Sequence, residues 1–360
     1  MKKYKESFEI ADSKISSSSE TYFIADIAAN HDGNLERALE LINLAKESGA
    51  DCAKFQHFKA DKIVSDFGFR QMSEEALSHQ ASWEKSVPEI YEQYHTRREW
   101  NGRLLEECKK ARIEFMTTPY DIDAVHDLIN HVNAIKIGSG DITYLKFLEE
   151  VAKKNKPILL ATGASDITEV VKAVDVVTEH NAEICLMQCN TNYTGSEENF
   201  SCVNLNVLRS YQVRYPGMPL GLSDHTPGHT CVLGAIALGA RVVEKHFTDD
   251  NERIGPDHKF ALNPMDWSEM VKRSRELELS LGDGIKRVES NEKETVIIQR
   301  RAVRARRKIN QGEQITVNMV ECLRPCPADA LSASDFNCII GKTAKRDIVA
   351  GEHLSKNDAR

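Results

Sequence analysis

The chain has 360 residues, of which 41% are hydrophobic and 28% are charged, as expected for a globular protein with one large domain and room for a smaller one. Its formal net charge of -8 disfavours a nucleic-acid-binding protein, which needs a basic surface along the phosphates. No apolar run is long enough to cross a bilayer, so no membrane association is expected.

The first 20 residues are rich in serine and lack the apolar core of a signal peptide, which predicts a frayed lead-in. The nine cysteines are scattered, odd in number and mostly embedded in apolar runs. This pattern is typical of reduced thiols and predicts a cytoplasmic protein.

From residue 21 to 283, short apolar runs alternate with amphipathic segments such as residues 35–46. Eight such repeats in this length predict a (β/α)8 TIM barrel, and a doubly wound sheet is the alternative. The predicted strands are residues 22–27, 52–56, 114–118, 134–138, 157–163, 183–188, 219–222 and 242–243.

Two segments fall outside the repeat. Residues 59–95 form a long polar insertion after the second strand, which is interpreted as a lid over the active face or as an ornament. Residues 284–299 are predicted to be a charged linker, and 300–360 to be a small β-rich module. Such a module is too small to bury much core alone, so we expect it to dock on another surface.

Two histidines follow neighbouring predicted strands at their carboxyl ends. His225 and His246, with the carboxylates Asp224, Glu244 and Asp257 close in sequence, predict a site for one divalent cation with positions left for substrate and water. The alternative is a pair of structural histidines near the barrel rim.

Lysines inside strand patterns are costly unless they are paired. Lys54 and Lys136 both point inward in the predicted strands, and the hydroxyls of Thr118, Ser139 and Ser223 lie at similar positions. Together they predict a buried phosphate or carboxylate. The alternative is that one lysine extends to solvent and the other pairs with Asp141 or Glu244.

Several short motifs, taken together and in order, resemble the sialic acid synthase family. They are residues 24–33 (IADIAANHDG), 54–56 (KFQ), 118–119 (TP), 136–140 (KIGSG), 162–163 (TG), 221–225 (GLSDH), 244–248 (EKHFT) and 255–257 (GPD). Residues 308–313 (KINQGE), 323–325 (LRP) and 340–342 (IGK) resemble the antifreeze-like (SAF) domain that ends the family's chains. The resemblance spans the length of the chain.

The resemblance implies a metal-dependent condensation of phosphoenolpyruvate with an open-chain N-acetylated hexose, which yields a nine-carbon 2-keto-3-deoxy acid and phosphate. It implies Mn²⁺ or Mg²⁺ on His225 and His246. The implied roles are catalysis by Asp26, Asp141, His225 and His246, phosphoenolpyruvate binding by Lys54, Thr118, Lys136, Ser139, Thr191 and Ser223, and sugar binding by Gln56, Tyr193, Asp257 and Arg324.

The family usually has glutamate at the positions of Asp26 and Asp141, and this leaves the acceptor open among N-acetylmannosamine and the precursors of legionaminic and pseudaminic acid. The resemblance also implies a domain-swapped homodimer in which Arg324 reaches the partner's site. An octulosonate-type phosphosugar synthase is a second interpretation, for which no basic cluster is evident in the sequence. A non-catalytic sugar-binding barrel is the third.

Overall fold

The computed structural model describes residues 3–72, 80, 83 and 85–360, and the chain forms two compact units, Met1–Gly282 and Asp283–Arg360. The strands are β1 (Ser7–Ile10), β2 (Ser13–Ser16), β3 (Tyr22–Asp26), β4 (Cys52–His57), β5 (Glu114–Pro119), β6 (Ile135–Ile137), β7 (Ile158–Ala161), β8 (Ile184–Cys189), β9 (Leu220–Asp224), β10 (Ala240–His246), β11 (Ala302–Ala305) and β12 (Val320–Leu323). The helices are α1 (Leu35–Glu47), α2 (Ala60–Ile63), α3 (Asp66–Arg70), α4 (Val87–Tyr94), α5 (Asn101–Ala111), α6 (Ile122–Leu128), α7 (Leu145–Ala152), α8 (Ile167–His180), α9 (Val207–Arg214), α10 (Thr230–Ala237), α11 (Pro264–Leu281) and α12 (Lys293–Gln299).

The eight strands β3 to β10 form a closed parallel barrel in which β10 pairs with β3. Closure confirms the predicted TIM-like barrel and excludes the doubly wound sheet, which would leave two unpaired edges. His246 lies opposite Asp26 on the neighbouring strand, and Asp26 lies opposite Lys54 on the next. The register therefore brings these three side chains to the same end of the barrel.

The barrel interior has an apolar layer below a polar one. Ile24, Cys52 and Val242 belong to a buried apolar cluster inside the barrel. Two residues further along the same strands stand Asp26, Lys54 and Glu244, because alternate residues of a strand face the same side. Each of these strands therefore carries an apolar side chain in the barrel core and, two residues later, a charged side chain near its carboxyl end.

The N-terminal residues 7–16 are ordered, so the expectation of a frayed lead-in is wrong. β1 and β2 form an antiparallel hairpin whose buried side chains Phe8, Ile10 and Ile15 join the apolar cluster inside the barrel. The alternation of apolar and polar residues in this segment is only four residues long on each side of the turn. That pattern is too short to stand out from the surrounding serines and lysines.

Helices cover the outside of the barrel with amphipathic faces. In α1 the side chain of Asn34 accepts a hydrogen bond from the Arg37 amide, which caps the helix, and Leu41 and Ile42 are fully buried. α8 begins with a capping box between Asp166 and Glu169. Among the helices of the described residues, none combines the length and apolarity required to span a membrane.

The insertion predicted at 59–95 contains three short helices, α2, α3 and α4, in its described part. Residues 73–79, 81–82 and 84 lie outside the described residues. α4 starts at a capping box of Ser86 with Glu89. Ring contacts tie this insertion to the barrel, since Phe58 lies 5.2 Å from Tyr91 between ring centroids.

The second unit has a small core of its own. β11 and β12 pair antiparallel, and the buried residues Val303, Ile309, Ile315 and Leu354 belong to one compact cluster. This module therefore buries more apolar surface than its size led us to expect. The stretch predicted to be a linker contains α12, and the Cys326 amide donates a hydrogen bond to the Ile297 carbonyl at its end.

Candidate active site

A cavity of about 320 Å³, here called the deep cavity, opens at the carboxyl ends of the barrel strands. Nearly all of its lining side chains are polar. The carboxyl ends of the strands are where parallel barrels carry their catalytic residues. Of the predicted site residues, it brings together Asp26, Lys54, Gln56, Thr118, Lys136, Ser139, Asp141, Tyr193, Ser223, His225 and His246.

Lys54 is the centre of one hydrogen-bonded group. Its Nζ donates to Asp26 Oδ2 at 2.7 Å and to Thr118 Oγ1 at 3.0 Å, and Gln56 Nε2 donates to the same Asp26 oxygen at 2.9 Å. Burial alone would raise the pKa of Asp26, but attraction to the ammonium of Lys54 outweighs it and lowers that pKa. Burial would likewise lower the pKa of Lys54, and the nearby Asp26 and Glu244 carboxylates raise it instead. The two groups form a buried ion pair.

Lys136 forms a second group with Glu244. Its Nζ donates to Glu244 Oε1 at 3.0 Å, and Ser223 Oγ donates to the same oxygen at 3.1 Å. Both predicted lysines thus point inward and neither extends to solvent. The other oxygen, Glu244 Oε2, is buried without a hydrogen-bond partner, 3.8 Å from Lys54 Nζ. The structure therefore places two ammonium groups around one carboxylate that is only half satisfied.

The two histidines stand side by side, with ring centroids 5.3 Å apart. His225 Nδ1 is 2.9 Å from the Asn190 carbonyl oxygen and donates to it. Burial would lower the pKa of His225, but a hydrogen bond with Cys189 outweighs that effect and raises the pKa. Burial lowers the pKa of His246 to about 3 despite the nearby Asp26. His246 is therefore neutral at pH 7, and its 3.6 Å approach to Asp26 is not an ion pair.

A divalent cation fits this pair in part. A neutral imidazole is the form that binds metals, and His246 Nδ1 is buried without a hydrogen-bond partner. Among the described residues, no group of three or more histidine, cysteine, aspartate or glutamate side chains has the arrangement of a metal site. Two protein ligands would leave the remaining positions to water and substrate.

Of the three carboxylates expected beside the histidines, Asp224 is misplaced. It points away from the deep cavity and accepts hydrogen bonds from Lys245 Nζ at 2.7 Å and from the hydroxyl of Thr226. The reason is the strand period, since Ser223 and His225 face the interior and the residue between them faces outward.

Asp141 and Ser139 follow β6 on a short turn. Burial raises the pKa of Asp141 to about 6, and its Oδ2 has no hydrogen-bond partner. Ser139 Oγ accepts a hydrogen bond from the Gly163 amide at 2.9 Å. A side chain at Gly163 would meet Thr191 Cγ2 at 2.6 Å, so the backbone approach there requires glycine. Thr191, predicted to bind phosphoenolpyruvate, lies against Gly163 and is not among the described residues that line the deep cavity.

A second cavity of about 160 Å³, here called the outer cavity, adjoins the first. The residues that line both cavities are Gln56, Ile63, Tyr91, Tyr120, Tyr193 and His246. The outer cavity's predicted sugar-binding residue Asp257 lies with Oδ2 3.6 Å from His246 Nδ1 and accepts a hydrogen bond from the Ala29 amide. Burial raises the pKa of Asp257 to about 6. The fourth predicted sugar-binding residue, Arg324, is exposed in the second unit.

Sequence reasoning missed most of the aromatic lining of the outer cavity. Phe58, Tyr91 and Tyr120 were not singled out as site residues, because their neighbours along the chain form no recognisable pattern. Glu244 was expected as a carboxylate near His246 and as an alternative partner of one lysine, but not as a residue that lines the cavity. Its place two residues before His246 in β10 is a signal that could have assigned it to the barrel interior.

Fold and site together define a TIM-barrel enzyme with two buried lysines and two histidines in one polar cavity and a small C-terminal module. The NeuB family profile matches residues 41–286, and the SAF domain profile matches 300–360. The chain belongs to the NeuB family. It is a sialic-acid-synthase-like enzyme, and this disfavours the interpretation as a non-catalytic sugar-binding barrel.

The chain is 34% identical to the N,N'-diacetyllegionaminic acid synthase of Campylobacter jejuni, over 91% of this chain and 96% of that protein. It is 31% identical to the human N-acetylneuraminate-9-phosphate synthase, over 94% of each chain. Among solved structures it resembles the N-acetylneuraminic acid synthetase of Leptospira borgpetersenii in complex with citrate. That match has a TM-score of 0.70 and 25% identity, and it covers 81% of this chain and 95% of the other.

Proposed function

We propose that the protein condenses phosphoenolpyruvate with the open-chain aldehyde of an N-acetylated amino sugar. Carbon 3 of phosphoenolpyruvate forms the new carbon–carbon bond to the aldehyde carbon. Water adds to carbon 2, and the resulting tetrahedral centre expels inorganic phosphate to leave a 2-keto-3-deoxy acid. The observation that carries this proposal is the pair of buried lysines, Lys54 and Lys136, that face one cavity beside two histidines.

The deep cavity suits phosphoenolpyruvate because its donors are buried and held in place by hydrogen bonds. The ammonium groups of Lys54 and Lys136 are the cations, and Thr118, Ser139 and Ser223 supply hydroxyl donors. Binding an anion there would compete with Asp26 and Glu244 for the lysines. Asp141, whose pKa burial raises to about 6, is assigned in this proposal to hold a proton for the departing phosphate.

The acceptor then lies across the two cavities with its aldehyde near the histidines. A Mn²⁺ or Mg²⁺ ion on His225 and His246 would act as a Lewis acid on the aldehyde oxygen. Gln56 and Asp257 offer polar contacts to the sugar, and Tyr193 packs its ring 4.5 Å from that of His225, which restricts how the acceptor enters.

The direct test is product detection by mass spectrometry, with phosphoenolpyruvate, Mn²⁺ or Mg²⁺ and a panel of amino sugars. We expect equal amounts of inorganic phosphate and of a product heavier than the acceptor by three carbons. Hydrolysis of phosphoenolpyruvate without any new carbon–carbon bond would contradict the proposal.

A domain-swapped homodimer is part of the proposal, with Arg324 of one chain acting at the sugar site of its partner. A guanidinium suits sugar hydroxyls and acetamido oxygens at a pocket mouth. His246→Ala and Arg324→Ala chains would each be inactive alone, but a mixed dimer would have one of its two sites intact. Recovery of no activity after verified subunit exchange would contradict the swapped arrangement.

A further inference from the structure

A buried ion pair lies on the outer face of the barrel, behind the two histidines. Lys245 and Asp224 are register partners on the neighbouring strands β10 and β9, and Lys245 Nζ donates to Asp224 Oδ2 at 2.7 Å. The side chain of Lys245 is fully buried, and that of Asp224 is 2% exposed. Neither is among the described residues that line the deep or the outer cavity. The pair therefore lies outside the space open to substrates.

Each member of the pair immediately precedes one of the histidines. Successive residues of a strand face opposite sides, so Asp224 and Lys245 face outward while His225 and His246 face inward. The two rings lie side by side, with centroids 5.3 Å apart, because the residues before them are register partners. A shift of either partner would thus move the histidine that follows it.

The hydrogen-bonded ladder between the two strands ends just before His225. β9 runs only to Asp224, and Asp224 with Lys245 is the last pair of its register with β10. Beyond that point the side chains of the pair continue the connection. Lys245 Nζ also donates to the Thr226 carbonyl oxygen at 2.6 Å, and Asp224 Oδ1 accepts from the Thr226 amide at 3.1 Å. The backbone on both sides of His225 is therefore tied to the residue before His246.

Stability alone does not account for a charged pair at this place. α10 packs against β9 and β10, and its buried residues include Val232 and Ile236, so the surroundings are largely apolar. Taking two charges out of water costs about as much as their attraction returns, and apolar side chains of similar volume are often at least as stabilising. What a charged pair adds is direction, because its hydrogen bonds hold particular backbone atoms in place.

We propose that Asp224 and Lys245 are positioning residues that set the separation of the His225 and His246 rings from behind the barrel wall. The consequence for metal binding rests on the proposed function, because the divalent cation on the histidines belongs to that function. Residues behind metal ligands orient those ligands, and a misplaced ligand binds the ion more weakly. Asp224 then acts on the cation through its neighbours and not as a ligand.

The test removes both charges with little change of shape, in the double variant Asp224→Asn with Lys245→Met. Calorimetric titration with Mn²⁺ alone measures metal affinity, and crystals of the metal-free protein give the ring positions. We expect the double variant to bind Mn²⁺ about 10- to 100-fold more weakly than the wild type, with displaced rings. Equal affinity and unchanged rings would overturn the inference.

Val243→Ala is the matched control. Val243 is buried on the same outward face of β10, two residues before Lys245, and carries no charge. The control should lower the denaturant midpoint but bind Mn²⁺ as the wild type does. A loss of affinity in Val243→Ala as large as in the double variant would overturn the inference, because any weakening of this wall would then suffice.

A milder variant keeps the inference testable if the double variant does not fold. Thr226→Val removes the hydroxyl that donates to Asp224 Oδ1 at 2.9 Å and nearly keeps the shape of the side chain. We expect Mn²⁺ affinity to fall by about three- to fivefold, and unchanged affinity and ring positions in every folded variant would overturn the inference. If the wild type binds no Mn²⁺, the metal assignment of the proposed function fails. The ring positions in metal-free crystals then decide this inference by themselves, since displaced rings support it and unchanged rings overturn it.

Discussion

The deep and outer cavities adjoin but are built in different ways. The deep cavity consists mainly of strand ends whose charged groups are fixed by hydrogen bonds, such as Lys54 to Asp26 and Lys136 to Glu244, and the insertion adds Ile63 and Tyr91 to its wall. The outer cavity consists largely of rings from an insertion between β4 and β5, with few charges. Under the proposed function, the barrel would carry the chemistry of the reaction and the insertion would contact the acceptor.

The largest expected effect is at the histidines, where the cavities meet. His225→Ala and His246→Ala should each lower kcat/KM by about 1000-fold or more, since each would remove a proposed ligand of a Lewis acid worth several kcal/mol in the transition state. Circular dichroism should show an unchanged fold, because neither ring belongs to the apolar layers. Full activity in chelator-treated wild-type protein would refute this assignment.

The lysines of the deep cavity come next. Lys54→Met and Lys136→Met should each raise the KM for phosphoenolpyruvate by about 10- to 150-fold, since a charge-assisted hydrogen bond contributes about 1.5–3 kcal/mol. An unchanged KM in both variants would place the anion elsewhere.

Lys54→Met should also destabilise the fold by about 3–5 kcal/mol, because it leaves Asp26 buried and unpaired. The matched control is the double variant Asp26→Asn with Lys54→Met, which removes both charges and should unfold at a higher denaturant concentration than Lys54→Met alone. If the double variant were the less stable of the two, the ion pair would not be the source of the loss.

A smaller effect is expected in the outer cavity. Phe58→Ala should raise the acceptor KM by about tenfold through loss of ring contacts with Tyr91 and Tyr120, and should leave the KM for phosphoenolpyruvate unchanged. The acceptor KM of Phe58→Leu should fall between those of the wild type and Phe58→Ala, because leucine keeps most of the apolar surface. A parallel rise in both KM values would show that the two cavities are not separable in function.

The smallest effect concerns pH. Burial raises the pKa of Asp141 from 3.8 to about 6, so between these values the folded protein keeps a proton that the unfolded chain releases. Stability should therefore fall as pH rises from about 4 to about 6. Asp141→Asn should reduce the decrease in the thermal unfolding midpoint over this pH range. Asp257→Asn is the parallel variant, since the pKa of Asp257 is raised to about 6 as well. An unchanged slope in both variants would contradict these assignments.

The sequence by itself determined the barrel and the end of the barrel at which the polar side chains gather. Apolar strands that end in polar side chains predicted that Lys54, Lys136, His225 and His246 would meet at one end, because parallel strands deliver their carboxyl ends to the same face. The strand period explains why these assignments to the interior were possible, since it fixes which residues face inward without knowledge of any partner.

Only the tertiary structure decided which partners those side chains have. Lys136 pairs with Glu244, which is 108 residues away along the chain. Asp224 pairs with Lys245 instead of lining the deep cavity. The positions of the hairpin at residues 7–16 and of the Phe58 and Tyr91 rings likewise depend on contacts with distant parts of the chain. Such contacts depend on how distant segments come to lie together in the closed barrel, and no local pattern of a single segment encodes that proximity.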